Sequence, residues 1–309
     1  MIKVSDLAHV RFRAPDLDRA EAFLTDFGLV RSARTETALY MRGSDGQHHL
    51  HVTELGEPAF VGVGFRAATS GDLEALARAP GTSAIETIEE PGGGWQVRLV
   101  DPNGIAIEVV HGVETVAPLP ATVRRPFNSG SRRERCGEPQ SVEAGPAHVK
   151  RLGHFVLLVN DFRETEAFYR DRFGFLNSDE MYLGDRELVV AAFMRCDRGP
   201  EWVDHHTFLA IGAGQVALNH VSFEVHDLDD LMAGHHHLNV RGHAHHWGVG
   251  RHVLGSQLYD YWRDPWGHVY EHWTDGDLLN ARSATGVVPI AGPGAESHWG
   301  PAAPSPFGA

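Results

Sequence analysis

The chain has 309 residues, 42% hydrophobic and 22% charged, with a formal net charge of −14. That is the make-up of a soluble globular protein of two ordinary domains. The acidic balance argues against nucleic acid and against an anionic membrane surface as partners. No run of about twenty apolar residues is present to cross a bilayer.

The N-terminal stretch Met1 to His9 lacks the apolar core and cleavage site of a secretion signal. From Leu7 to Phe23 the sequence reads as a strand, a short turn and an amphipathic helix that ends near Gly28. An apolar segment around Val63-Gly-Phe65 follows, with Asp72-Leu73 after it. Asp101-Pro-Asn-Gly104 has turn chemistry, and Glu108 lies just beyond it. Residues 116–147 carry Pro, Ser and charge without periodicity and read as a linker. Within them, Arg132-Arg-Glu-Arg135 is a solvated run.

The same order then returns. Leu152 to Phe168 repeats the first strand and helix, with His154 in the place of His9 and Gly174 in that of Gly28. Val221-Ser-Phe223 with Asp230-Leu231 matches the second segment, and Asp264-Pro-Trp-Gly267 with Glu271 matches the third. The repeat divides the chain into a first domain, 1–115, the linker 116–147, a second domain, 148–280, and a Gly/Pro-rich tail, 281–309. Each domain reads as two βαβββ units, an α+β arrangement with helices outside a curved sheet. The tail is expected to be mobile or laid over the surface.

Only two cysteines occur, Cys136 and Cys196, so the chain is no disulfide scaffold and a reducing cytoplasm is the expected location. The 21 histidines favour metal or proton chemistry. His235-His-His237 with His243, His245 and His246 has no Cys or carboxylate in metal-site spacing and reads as a solvated helix end and loop.

The most specific stretch runs from Gly250 to Glu271. Ser256 to Trp262 suits a strand, Asp264 to Gly267 a turn, and His268 to Trp273 a second strand. This hairpin brings His252, Tyr261 and Glu271 within reach of one another, half of a metal site. Its wording resembles the signature of the type I extradiol ring-cleavage dioxygenases of the vicinal oxygen chelate superfamily. Gly250, His252, Tyr261, Asp264, Pro265, Gly267 and Glu271 fall in place, whereas Asp260 stands where that family prefers an apolar residue.

The resemblance covers roughly residues 1–280 and implies two tandem chelate-type domains, each a curved sheet around a central cavity. It implies His154, His220 and Glu271 as metal ligands. The matched positions of the first domain are His9, Gly62 and Glu108, and glycine has no side chain to ligate with. A two-His, one-carboxylate face suits Fe(II), with Mn(II) the alternative and O2 as co-substrate. The family's acid–base histidine sits some fifteen positions before the second ligand, at His205, with His206 the close alternative; strand alternation would turn their side chains to opposite sides. His252 and Tyr261 correspond to residues that contact the substrate, Val156 to one beside its ring, and Trp247 is placed at the substrate entrance.

The activity implied is cleavage of a catecholic ring beside its vicinal diol, giving a muconic semialdehyde-type product. The partner is a small aromatic diol, and association of identical subunits into a homo-oligomer is expected. Other reactions of the superfamily (4-hydroxyphenylpyruvate dioxygenase-like, glyoxalase or epimerase) and a metal-free, ligand-sequestering resistance protein are the competing readings.

Overall fold

The computed structural model describes residues 1–120, 126–291, 297–302 and 304. Parts of the linker (121–125) and of the tail (292–296, 303 and 305–309) lie outside the described residues.

The first domain contains β1 (Val4–Ala14), α1 (Leu17–Asp26), β2 (Val30–Arg34), β3 (Ala38–Arg42) and β4 (His51–Leu55). It continues with β5 (Ala59–Ala67), α2 (Ser70–Ala77), β6 (Glu86–Thr87), β7 (Trp95–Val100) and β8 (Ala106–His111). The second opens with β9 (Val149–Val159), α3 (Phe162–Phe173), β10 (Leu176–Tyr182), β11 (Val189–Arg195), the short β12 (Val203–Asp204) and β13 (Phe208–Gly212). Then come β14 (Ala217–Val225), α4 (Leu228–Val240), β15 (Ala244–His252), β16 (Leu258–Arg263) and β17 (Val269–Thr274). Three short strands close the chain: β18 (Leu278–Leu279), β19 (Gly286–Pro289) and β20 (Ser297–Trp299). The βαβββ unit thus occurs twice in each half, with β12 as an extra strand.

Local chemistry sets the helix starts. Asp16, Thr69, Asp161 and Asp227 each accept a backbone N–H of the first helical turn, satisfying donors that have no partner inside the helix. The two Asp-Pro-x-Gly turns are built alike. Asp101 accepts from the backbones of Asn103 and Ile105, and Asp264 from those of Trp266 and His268.

Each pair of units joins along its first strands, antiparallel: β1 to β5 and β9 to β14. The resulting sheets run β2-β3-β4-β1-β5-β8-β7-β6 and β19-β10-β11-β13-β9-β14-β17-β16-β15-β20. One apolar core serves both domains. Phe65 packs against Phe155, Phe173 and Phe175, and Phe27 stacks on His272 with ring centroids 3.8 Å apart. At Gly28 the backbone has positive φ, and an added Cβ would meet the Ala147 carbonyl oxygen at 2.1 Å, so a glycine is required where the domains touch.

Two segments of the tail form strands. β19 pairs with β10 at one edge of the second sheet and β20 with β15 at the other. Gly and Pro are tolerated there because an edge strand needs hydrogen bonds on one side only. Among the described residues no helix is long and apolar enough to cross a membrane.

Candidate metal centre

One row of side chains crosses the second sheet. Register places Trp247 opposite Tyr261, Tyr261 opposite Glu271, Glu271 opposite Ser222, and Ser222 opposite His154. His220 stands two residues before Ser222 on β14 and so shares its face. Three adjacent central strands thereby deliver His154, His220 and Glu271 to one point.

The donor atoms converge. His154 Nε2 is 3.0 Å from Glu271 Oε2, His220 Nε2 is 3.5 Å from the same oxygen, and the two Nε2 atoms are 3.4 Å apart. Ligands held about 2.1 Å from one ion at neighbouring octahedral positions are themselves on the order of 3 Å apart. His154 Nδ1 and Glu271 Oε1 are buried without a hydrogen-bond partner. Burying an unpaired carboxylate oxygen is costly, and a divalent cation at the centre of the triangle would offset that cost. The donor set fits such an ion.

Neighbouring groups orient the ligands. Ser222 Oγ donates a short hydrogen bond to Glu271 Oε2, and Asn219 Oδ1 lies 2.7 Å from His220 Nδ1. The latter contact turns Nε2 toward His154 and Glu271, as a partner that orients a metal-binding imidazole does. Burial pushes the Glu271 carboxyl up, but the nearby imidazoles of His154, His220 and His252 outweigh it and hold the pKa well below the usual range. Burial also lowers His154 against the opposing pull of Glu271, which favours the neutral ring that a metal needs.

The other expected site residues surround the triad. His252 Nε2 is 2.9 Å from the Tyr261 hydroxyl and 3.6 Å from Glu271 Oε1. Burial, then the charge of Glu271, pushes the Tyr261 phenol well above its ordinary pKa, so it stays protonated and can donate. Trp247 stacks on Tyr261 at 5.2 Å, and its indole donates to the Pro301 carbonyl of the tail. Val156, opposite His220, lies in an apolar cluster with Leu209, Phe193 and Leu254.

His205 and His206 depart from expectation. Their Nδ1 atoms are 3.1 Å apart, so the two rings meet instead of facing opposite ways. Residues 205–207 lie in a bend before β13, where strand alternation does not apply. His205 Nε2 is 2.6 Å from Asp179 Oδ2, and the His206 ring lies 4.0 Å from that of His154. Burial, then His154, holds His206 well below its ordinary pKa and hence neutral. Sequence reasoning missed Asp179, Asn219 and Ser222. Ser222 was within reach of a period-2 argument from His220; Asp179 carries no such signal.

The first domain shows what happens when a ligand is lost. His9 faces Gly64, and Gly64 faces Glu108, the same row as in the second domain. A Cβ at Gly62 would meet the Ala106 carbonyl oxygen at 2.0 Å, so no side chain fits there. Arg11, opposite Gly62, binds Glu54, Glu90 and Glu108, and His9 Nε2 lies 2.6 Å from Glu108. A fixed guanidinium thus stands in for an ion beside a cavity of about 180 Å³. Arg11→Met should destabilise the domain by about 2–4 kcal/mol in urea unfolding, below the full worth of a buried network because Glu54 and Glu90 are about one-third exposed.

One candidate three-ligand centre and one counterpart that lacks a ligand position thus lie on repeated βαβββ units, the arrangement of a chelate-type fold. The chain belongs to the glyoxalase/bleomycin resistance protein/dioxygenase superfamily, whose family model matches residues 6–109 and 151–271. It is 28% identical over 306 residues to metapyrocatechase 2 of Cupriavidus necator, covering 98% of this chain and 91% of that one. It is 25% identical over 286 residues to biphenyl-2,3-diol 1,2-dioxygenase of Sphingomonas paucimobilis, covering 88% of each. The fold is that of the Mn(II)-bound glyoxalase from Novosphingobium aromaticivorans, with a TM-score of 0.79, 24% identity, and 98% and 93% of the two chains covered. It is equally that of homoprotocatechuate 2,3-dioxygenase from Brevibacterium fuscum in complex with 3,4-dihydroxyphenylacetate, with a TM-score of 0.79, 21% identity, and 99% and 92% covered.

Proposed function

We propose that the chain is an extradiol dioxygenase of the catechol 2,3-dioxygenase type. It would cleave a catecholic ring with O2 beside the vicinal diol and give a muconic semialdehyde-type product. The observation that carries this reading is the convergence of the buried His154–His220–Glu271 face with the His252–Tyr261 pair. Fold alone does not separate dioxygenase from glyoxalase. The names of the relatives, all ring-cleaving enzymes among those given above by sequence, add support to the first.

His154, His220 and Glu271 would hold Fe(II), or Mn(II) in its place. When bound, that ion supplies Lewis acidity and one-electron chemistry toward O2. Three protein ligands on one face leave the opposite positions free for substrate. Tyr261 donates a hydrogen bond to a substrate oxygen, and His252, coupled to it at 2.9 Å, fixes the hydroxyl's direction. The His205–His206 pair moves the proton: the His206 ring, beside His154, accepts one from the substrate hydroxyl and passes one on through Nδ1 to His205, and the same path returns it to the oxygen that becomes the product's. Asp179 holds the His205 ring through Nε2, and the neutral His206 packs between that ring and the metal ligands.

The wall beside Val156 sets the substrate class. Its neighbours Met181, Ala191, Phe193, Leu209, Ile211 and Leu254 are apolar. Catechols with alkyl or aryl substituents should therefore exceed carboxylated ones such as 3,4-dihydroxyphenylacetate in kcat/KM by about tenfold or more, the worth of 1.4 kcal/mol. The test is a panel of substituted catechols under air with Fe(II)- or Mn(II)-loaded protein, read by the yellow of the ring-opened product. A colourless outcome across the panel, with turnover of a glyoxalase-type hemithioacetal instead, would overturn the proposal.

A further inference from the structure

Asp260 occupies the one position at which the hairpin departs from the family pattern. Its side chain is fully buried, on the face of β16 opposite to Tyr261. There it meets two members of the histidine run. His235 of α4 places Nδ1 3.0 Å from Oδ2, and His245 of β15 places Nε2 2.8 Å from Oδ1. Trp262 Nε1 donates to Oδ2 at 2.6 Å. The carboxylate that the spacing of the histidine run lacked is therefore supplied from 15 and 25 residues away, across two other elements.

We propose that His235, His245 and Asp260 form a second divalent-metal site, of the class that binds zinc, on the outer face of the catalytic sheet. The three donor atoms lie within 4.8 Å of one another, and two imidazoles with one carboxylate are a tetrahedral zinc set that a water completes. Donors about 2.1 Å from one ion stand about 3.4 Å apart in that geometry, so small ring rotations close the site. The carboxylate is anchored by Trp262, while the His235 and His245 side chains are 25% and 30% exposed, which gives an ion a path from solvent.

In the metal-free state each imidazole donates a proton to Asp260. His235 is fixed in that tautomer by Asn239, whose amide donates to its Nε2 at 3.0 Å. Binding replaces both protons with the ion. Each proton moves to the other nitrogen of its ring, where at His235 it displaces the Asn239 bond to Nε2, and a ring that carries a second proton releases that one to solvent. A nearby cluster provides the contrast. Asp26 binds His237 and His243 in the same manner, but Arg241 is 3.0 Å from it and places a fixed cation where an ion would sit. Among the described residues no such cation contacts Asp260.

The test is zinc titration of the full chain, freed of metal, with bound zinc counted after equilibrium against a competing chelator. His220→Ala, which disables the first centre, isolates the proposed site. It should retain one equivalent of tightly held zinc. Adding His235→Asn and His245→Gln should weaken that equivalent by more than about 100-fold, since losing even an outer-shell partner costs 10–100-fold. Those replacements put an amide nitrogen where each imidazole nitrogen stood, so Asp260 stays hydrogen-bonded and the melting temperature should hold. Failure of His220→Ala to hold zinc, or equal zinc in the triple variant, would overturn the proposal. Neither readout depends on catechol turnover.

Discussion

Replacing His220 by alanine is expected to remove the first-centre metal and the ring-cleaving activity together, whereas His9→Ala should leave both in place. His154 and Glu271 alone cannot hold a weakly bound divalent ion. Losing an outer-shell partner already costs 10–100-fold in affinity, and losing a ligand costs more than about 100-fold. The variant also leaves Glu271 buried with one imidazole partner fewer, so some loss of stability accompanies it. His9 differs because its domain has no room at Gly62 for a second imidazole and already carries Arg11 against Glu108. Metal content with Mn(II), a weak competitor for zinc-type sites, together with catechol turnover checks both variants. Loss of activity in His9→Ala with metal kept in His220→Ala would place the active centre in the wrong domain.

His205→Asn is expected to slow the chemical step by about 10² to 10⁴, the usual worth of a positioned acid–base group. Metal content should not change, and substrate affinity should change far less than kcat, because the proton transfer matters mainly after the substrate is bound. Asparagine keeps a hydrogen-bonding group near Asp179 but does not titrate near neutral pH. His206→Asn is no silent control, since its ring lies 4.0 Å from that of His154 and 4.8 Å from that of Phe193. It should slow the chemical step as well, and alter packing beside His154. Single-turnover kinetics separate the two. A slow chemical step in the His206 variant beside a normal one in the His205 variant would take His205 out of the proton path.

The repeat made the βαβββ units legible, because the same strand, helix and Asp-Pro-x-Gly turn recur in the same order. The hairpin made Glu271 and Tyr261 legible as neighbours, and register pairs them directly. What escaped was contact between distant strands. Asp179 reaches His205 from β10, and Asp260 reaches His235 and His245 across an α-helix and a strand, so neither pairing leaves a trace in local spacing. The opposite orientation expected of His205 and His206 failed for a different reason: alternation is a property of strands, and these residues precede one. The tail escaped because Gly- and Pro-rich sequence has no strand signature, yet edge pairing uses the backbone and asks little of the side chains.

Oxygen consumption measured alongside product formation tests the central claim most directly. With Fe(II)- or Mn(II)-loaded protein and 3-methylcatechol, the account predicts one O2 taken up per catechol, with matching growth of a yellow ring-opened product and no hydrogen peroxide, and neither signal in His220→Ala. Oxygen uptake that ends in quinone and peroxide, or no uptake by protein shown to carry its metal, would contradict it.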